Sequence, residues 1–153
     1  MELAKFTILG VPRVKKNTQR AVIAVNRKTG KPYPKIVMTP AYKAWQKSAI
    51  PQINRQKPSY TIDSPVNLKC LFYMDTEVKV DLSALYEGIQ DELVSAKVLS
   101  DDNYTIVQSH DGSGVYIDRN KPRMEIIISE AIDRVKHPNY YVCYGGLTPE
   151  EII

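Results

Sequence analysis

Apolar and polar residues alternate in several short stretches of this chain, a pattern with a period of two that is typical of β-strands. The predicted strands are Glu2–Leu9, Ala21–Val25, Lys35–Met38, Pro65–Phe72, Tyr104–Ser109 and Met124–Ile128. The second and third form a predicted hairpin, because only the polar connection Asn26–Pro32 separates them. Gly112–Gly114 is predicted to turn the chain before the last strand, although Gly112–Tyr116 can also be interpreted as a functional loop.

Two stretches have the spacing of a helix instead. Leu82, Leu85, Ile89, Leu93 and Ala96 recur every three or four residues, which predicts an amphipathic helix from about Leu82 to Lys97.

Thr39 and Pro40 form a start signal for the other helix, with Thr39 as the N-cap. This helix is predicted to end near Ser48, before Pro51, and Gln52–Tyr60 is predicted to be a basic linker. Trp45 and Tyr42 lie at helical spacing and are predicted to be core residues. Together these elements predict an α+β fold, with a small mixed β-sheet and two main helices.

Composition indicates one intracellular domain. The chain has 153 residues, of which 43% are hydrophobic, enough to bury a single core. No apolar run is long enough to span a membrane, and Met1–Lys5 lacks the apolar stretch of a signal peptide. Cys70 and Cys143 form neither a disulfide framework nor a zinc motif, and Cys70 is predicted to be a buried thiol. We therefore expect a cytoplasmic protein with no membrane association.

The charge is distributed unevenly along the chain. Residues 1–60 hold thirteen Lys/Arg and one acid, a net charge of +12, whereas residues 61–153 hold eight Lys/Arg and sixteen acids, a net charge of −8. Such a basic half favours a polyanionic partner, although a solvated lysine-rich surface is the alternative. The candidate phosphate contacts are Arg13, Lys15, Lys16, Arg20 and Lys79.

Acidic residues surround the amphipathic helix. Asp81 precedes it, Glu87 and Asp91 lie away from its apolar stripe, and Asp101 and Asp102 follow it. Clustered carboxylates are the ligands that Mg²⁺ or Mn²⁺ prefers, so acids that bind a metal beside bases that bind phosphate predict a nuclease.

Each of these acids also has a structural interpretation. Asp81 can be an N-cap, Asp101 and Asp102 can form a turn, and Glu87 and Asp91 can be solvated helix residues. For Asp91 we favour the solvated helix position.

The spacing of these acids resembles the core of the RusA-type Holliday-junction resolvases. That core reads D-x-D-N-L-x-K, then D-x-L about four residues later, then an apolar pair and D-D. Here the run 79–85 is followed by 91–93, by the apolar pair 98–99 and by the acids 101–102. A strand, a Gly-x-Pro break and a basic loop near the N-terminus are also similar, so the resemblance covers roughly residues 3–130.

The resemblance implies that Asp81 and Asp102 are the essential acids and metal ligands, with Asp101 beside Asp102. Lys79, two residues before Asp81, is predicted to steady the charge of the phosphate. Ser83 stands where the family has its second Asp, Ala84 replaces the Asn, and Glu87 replaces the Lys.

Because residues four apart are neighbours on a helix, Glu87 is predicted to supply the carboxylate that Ser83 lacks. The segment Ser109–Ser113 matches one found in phage members of this type. His110 within it is open to two interpretations, a proton-transfer or metal-binding group and a satisfied polar turn.

Members of the family are small dimeric, magnesium-dependent endonucleases, often carried by phages. The resemblance therefore implies a homodimer that resolves four-way DNA junctions in the cytoplasm of a bacterial host. The implied metal ion is Mg²⁺, with Mn²⁺ as the alternative. Residues 1–130 are assigned to this nuclease domain and residues 131–153 to a C-terminal appendage. The alternatives are a non-catalytic protein that binds branched DNA with the same fold, and an assembly or recombination adaptor that uses the tyrosine-rich tail.

Overall fold

The computed structural model describes residues 1–15, 19–38 and 40–133. Its strands are β1 (Glu2–Leu9), β2 (Gln19–Val25), β3 (Pro32–Met38), β4 (Val66–Met74), β5 (Val107–Ser109), β6 (Gly114–Ile117) and β7 (Arg123–Glu130). Its helices are α1 (Pro40–Gln56) and α2 (Leu82–Ser95). The predictions made for Lys16, the Thr39 cap, Cys143 and the tyrosine-rich tail lie outside the described residues.

The larger sheet has mixed strand directions and is built around β4. Its order is β1-β7-β4-β5, and β6 also pairs with β4. β7 runs antiparallel to both β1 and β4, whereas β5 and β6 run parallel to β4. This confirms the predicted α+β fold with a mixed sheet and two helices.

The core lies between one face of this sheet and the two helices. Alternate residues of the central strands point into it, as the period-two pattern predicted. The buried sheet residues are Ala4, Phe6, Ile8, Val66, Leu68, Cys70, Phe72, Met74, Met124, Ile126 and Ile128. Tyr42 and Trp45 of α1 and Leu85, Ile89 and Leu93 of α2 cover them. The predicted core role of Tyr42 and Trp45 is thereby confirmed.

Helix α1 continues past Pro51, so the predicted end near Ser48 and the linker from Gln52 were wrong. A proline removes one helix hydrogen bond, but Ala49 and Ile53 on either side are both fully buried. Burial of this stripe against the sheet outweighs the lost hydrogen bond and keeps the next turn helical.

Two glutamines of that last turn cover the free edge of β1. Gln52 Oε1 accepts the Leu9 N–H at 2.8 Å, and Gln52 Nε2 donates to the Leu9 carbonyl at 3.1 Å. Gln56 makes the same pair of hydrogen bonds to Thr7, both at 2.9 Å. These amides take the place of a neighbouring strand at an edge that would otherwise expose unpaired backbone groups.

The region around β5 and β6 also differs from the prediction, because β6 was not predicted as a strand. Only Val107–Ser109 of the predicted strand Tyr104–Ser109 is extended. Asn103 holds the preceding residues in a turn, because its Oδ1 accepts from the N–H and hydroxyl of Thr105 and its carbonyl accepts from the N–H of Ile106 and Val107.

β2 and β3 pair with each other in a separate two-stranded sheet, here called the β2–β3 ribbon. The predicted hairpin is confirmed, and both strands are longer than predicted. Every residue from Asn26 to Ile36 is exposed, so the ribbon projects from the core. Neither helix in the described part of the chain is long and apolar enough to cross a membrane.

Candidate functional site

Asp81 occupies the N-cap position of α2 but does not use its carboxylate there. Its backbone is extended, with φ −73° and ψ 126°, and its carbonyl accepts the N–H groups of Ala84 and Leu85. No side-chain cap hydrogen bond is formed, and the side chain is exposed. The capping interpretation therefore describes the backbone of Asp81, while its carboxylate stays accessible to an outside partner.

The basic segment before the ribbon crosses α2 at Gly88. A Cβ atom at Gly88 would lie 3.4 Å from the Arg13 carbonyl oxygen and 3.7 Å from the Lys15 nitrogen, so the backbone of the basic segment lies in van der Waals range of this position. The Lys15 ammonium forms an ion pair with the Asp91 carboxylate, and both side chains are partly buried. The solvated position predicted for Asp91 was therefore wrong, because a lysine 76 residues away in sequence binds it.

Asp101 serves the turn that follows α2. Its Oδ1 accepts from the Asp102 N–H at 2.7 Å, and its Oδ2 accepts from Asn103 Nδ2 at 2.8 Å. The hydrogen bond from the Asp102 N–H, supported by those from Asn103, lowers the pKa of the Asp101 carboxyl. Both Asp101 oxygens thus act inside the turn.

The Asp102 carboxyl lies in a different environment. Burial raises the pKa of Asp102, and the hydrogen bond with Asp101 and the negative charge of Asp91 act in the same direction. Asp102 is therefore close enough to α2 for its charge to interact with that of Asp91. Two acids whose charges repel are a place where a cation gains binding energy.

The described residues do not form a metal site made of protein ligands alone. No group of three or more His, Cys, Asp or Glu side chains within 1–15, 19–38 and 40–133 is arranged to bind a metal ion. The acids proposed from the sequence, Asp81, Glu87, Asp101 and Asp102, therefore do not form a single cage of ligands. Mg²⁺, however, is usually bound by one or two carboxylates together with waters and substrate phosphates. Asp102, with Asp91 near enough for its charge to raise the Asp102 pKa, offers one or two carboxylates for an ion held in that way.

No model of a known protein family matches this chain. A search of curated proteins gave no significant match either.

The segment Ser109–Ser113 forms an ordered loop against β4. Asn67 Oδ1 accepts from the Ser109 hydroxyl at 2.6 Å and the Asp111 N–H at 2.8 Å, and Ser113 Oγ accepts the Cys70 N–H at 2.9 Å. Gly112 has a φ of +83°, which favours glycine, and its missing Cβ would lie 3.2 Å from Lys69. The local hydrogen bonds explain why this segment is polar.

His110 joins this loop to α2. Its ring stacks on Tyr86, with centroids 4.0 Å apart and planes 9° apart, and its Nδ1 lies 2.9 Å from the Leu68 carbonyl oxygen. Because that oxygen can only accept, Nδ1 carries the proton of the neutral ring and Nε2 carries the lone pair. Burial lowers the pKa of His110, which keeps the ring neutral near pH 7. Sequence reasoning did not find Tyr86 as its partner, because nothing in the sequence links the two.

The remaining predicted residues lie around these elements. Arg13 is exposed beside α2, Lys79 is exposed just before Asp81, and Glu87 is exposed on α2. Arg20 belongs to β2. The structure thus brings together the basic segment, α2 and the Asp101–Asp102 turn.

Proposed function

We propose that this protein is a RusA-type, Mg²⁺-dependent endodeoxyribonuclease that cuts branched DNA. The observation that carries the proposal is the crossing of the basic segment over α2, where Lys15 pairs with Asp91 and the negative charge of Asp91 contributes to the raised pKa of Asp102. Positive charge that attracts phosphate and carboxylates that attract a divalent ion thereby occupy one surface.

Different residues are proposed to bind the DNA and the metal ion. Arg13 and Lys79, both exposed, contact phosphates and orient the DNA. Asp102 and Asp91 would hold Mg²⁺ together with a substrate phosphate, and Lys15 pairs with the Asp91 carboxylate beside them. The chemistry that a bound Mg²⁺ supplies is activation of the attacking water and stabilisation of charge on the leaving oxygen.

Asp81 keeps its proposed role as the second essential acid, because its carboxylate is exposed and not used by the helix cap. It lies ten residues before Asp91, which is about 15 Å along the helix axis. Asp81 is therefore proposed to hold a second Mg²⁺ with a DNA phosphate at the start of α2, where Lys79 contacts the same strand, while Asp102 acts from near the end of the helix. A homodimer would supply two such surfaces, matching the two-fold symmetry of a four-way junction.

The test is cleavage of a labelled four-way junction by the full chain, with Mg²⁺ and with a chelator. Asp102→Asn and Asp81→Asn should each lose cleavage at least a hundredfold while still binding the junction. Glu2→Gln, which removes an exposed acid on β1, is the matched control and should cut normally. Wild-type cleavage rates in either Asn variant would overturn the site assignment.

A second function, binding of branched DNA without cutting, is favoured by two observations. Both Asp101 oxygens serve the turn, and the described acids form no group of three. The same assay separates the two proposals. A wild-type protein that binds the junction equally well with Mg²⁺ and with chelator, and leaves it uncut, is the result expected of the binding protein alone.

A further inference from the structure

One face of the β2–β3 ribbon is apolar and exposed. Three cross-strand pairs share this face: Ala21 with Ile36, Ile23 with Pro34, and Val25 with Pro32. Ile23 is 74% exposed, Ile36 71% and Val25 60%, so nothing in the described part of the chain covers them. Exposed apolar surface of this kind marks an interaction site when a partner of suitable chemistry exists.

The two prolines indicate how a partner approaches. The Asn26 N–H donates to the Lys31 carbonyl at 2.9 Å, and hydrogen-bonded and non-hydrogen-bonded pairs alternate from there. Pro32 and Pro34 therefore occupy non-hydrogen-bonded positions, with their nitrogens on the outer edge of β3. Since proline has no N–H, that edge cannot accept another strand in a regular ladder. The prolines thus close the β3 edge, and the exposed apolar side chains offer the face of the ribbon to a partner.

Charge indicates what the partner is. Residues 19–38 contain Arg20, Arg27, Lys28, Lys31 and Lys35 and no acid. A second copy of the ribbon would bring the same positive charge against it, and like charges disfavour such pairing. DNA satisfies both features, because its phosphates carry negative charge and its bases present flat apolar surfaces.

The ribbon has a suitable shape and an ordered tip. Asn26 Oδ1 accepts the N–H groups of Lys28 and Thr29, and Gly30, with a φ of +68°, donates to the Asn26 carbonyl at 2.8 Å. Seven residues per strand extend about 23 Å. A two-stranded ribbon fits the major groove, and Ile and Pro are among the side chains that proteins insert between bases.

We propose that the β2–β3 ribbon enters branched DNA where the arms separate, and that its apolar face packs against unstacked bases at the branch point. Arg27, Lys28 and Lys31 at the tip hold the flanking phosphates. This inference rests on the proposed function for its DNA partner, and it assigns recognition of the branch point to an element distant in sequence from the carboxylates.

The experiment uses a four-way junction that carries 2-aminopurine at the branch point, because the fluorescence of this base rises when it unstacks. The wild-type full chain should raise the fluorescence and bind the junction more tightly than a linear duplex. Ile23→Ser/Ile36→Ser should abolish the rise and the junction preference. Val115→Ser/Ile117→Ser, which alters two exposed apolar residues of β6, is the matched control and should behave as wild type.

The tip is tested separately. Arg27→Gln/Lys28→Gln/Lys31→Gln should bind both DNAs more weakly, with a salt slope smaller by about 2 to 3, since each phosphate contact contributes about 0.9. A full fluorescence rise in the Ile23→Ser/Ile36→Ser variant would overturn the inference. So would a wild-type dimer that this variant converts to monomer in light scattering, because the face would then bind a second copy.

The outcomes also separate this inference from the proposed function. Junction cleavage by wild type with no fluorescence change refutes the role of the ribbon and leaves the nuclease proposal standing. A fluorescence rise with no cleavage under any divalent ion supports the ribbon and refutes the nuclease. A wild-type chain that binds no DNA overturns both.

Discussion

Asp102 is a residue where stability and the proposed function oppose each other. Its folded-state pKa is raised by burial, by Asp101 and by Asp91. Between the unfolded and folded pKa values the folded chain binds more protons than the unfolded chain, so stability falls as pH rises through that window. At neutral pH the ionised carboxylate therefore destabilises the fold slightly.

We expect Asp102→Asn to raise the Tm by a few degrees at most at pH 7, and we expect the gain to vanish near pH 3. Asp101→Asn is the matched control with the opposite sign, because the pKa of Asp101 is lowered and its charge stabilises the turn above the unfolded pKa. Thermal melts of both variants from pH 3 to pH 7 check this. A lower Tm for Asp102→Asn at pH 7 would contradict the assignment of burial and repulsion.

At this scale the sequence predicts candidate acids but not their contacts. Spacing makes Asp81 and Asp102 candidates, whereas the contact between Lys15 and Asp91 joins positions 76 residues apart. No local pattern encodes such a pair, since it exists only after α2 and the basic segment cross. The stacking of His110 on Tyr86 was missed for the same reason.

At the scale of the elements, α1 contains a proline that tertiary packing tolerates. Pro51 is exposed, so its ring makes no contribution to the core. Replacing it with Ala restores a helix hydrogen bond and removes the clash with the preceding turn. We expect Pro51→Ala to raise the free energy of unfolding by about 1–3 kcal/mol.

Urea denaturation measures this change, with unchanged m-values as evidence that the folded state is the same. Ser48→Ala, one turn earlier and also exposed, is the control and should change the stability by less than about 0.5 kcal/mol. A Pro51→Ala variant less stable than wild type would contradict this prediction.

The glutamines of α1 protect β1. Gln52→Ala/Gln56→Ala removes all four amide hydrogen bonds to the β1 backbone. We expect a loss of about 1–2 kcal/mol, because these bonds are exposed, and a rise in concentration-dependent association through the uncovered edge. Light scattering over a concentration series checks this, and Gln46→Ala, in the same helix but bonded to Glu92, should not increase association.

Element prediction failed where local side chains compete with periodicity. Tyr104–Ile106 alternates as a strand does, but Asn103 accepts the local N–H groups and turns the chain there. The opposite error occurred at Pro51, where a helix end was predicted but the helix continues. Burial of the residues on either side outweighs the usual effect of a proline there.

At the scale of the whole molecule, the chain separates its charges along the sequence and then brings them together in space. The +12 segment contributes the β2–β3 ribbon, α1 and the segment that crosses α2, while α2 and the following turn supply acids. We expect junction affinity to fall roughly a hundredfold or more between 50 and 200 mM salt, as it does for proteins that neutralise several phosphates.

Binding titrations at several salt concentrations check this prediction, and light scattering should give about twice the 17.4 kDa chain mass if the proposed dimer forms. Affinity that does not change with salt would count against DNA as the partner. A strict monomer, both free and on the junction, would refute the dimer.

Cys70 gives the fold a built-in reporter of its own opening. Its thiol is fully buried on β4, the strand that pairs with β5, β6 and β7, and burial raises its pKa to about 12. A thiol reagent needs the thiolate and physical access, and both require the sheet to separate around β4. In a Cys143→Ser background, the labelling rate of Cys70 therefore counts the rare openings of the native protein directly. A divalent ion or a DNA junction that binds the folded chain should lower the labelling rate of Cys70 by the factor with which it stabilises the fold.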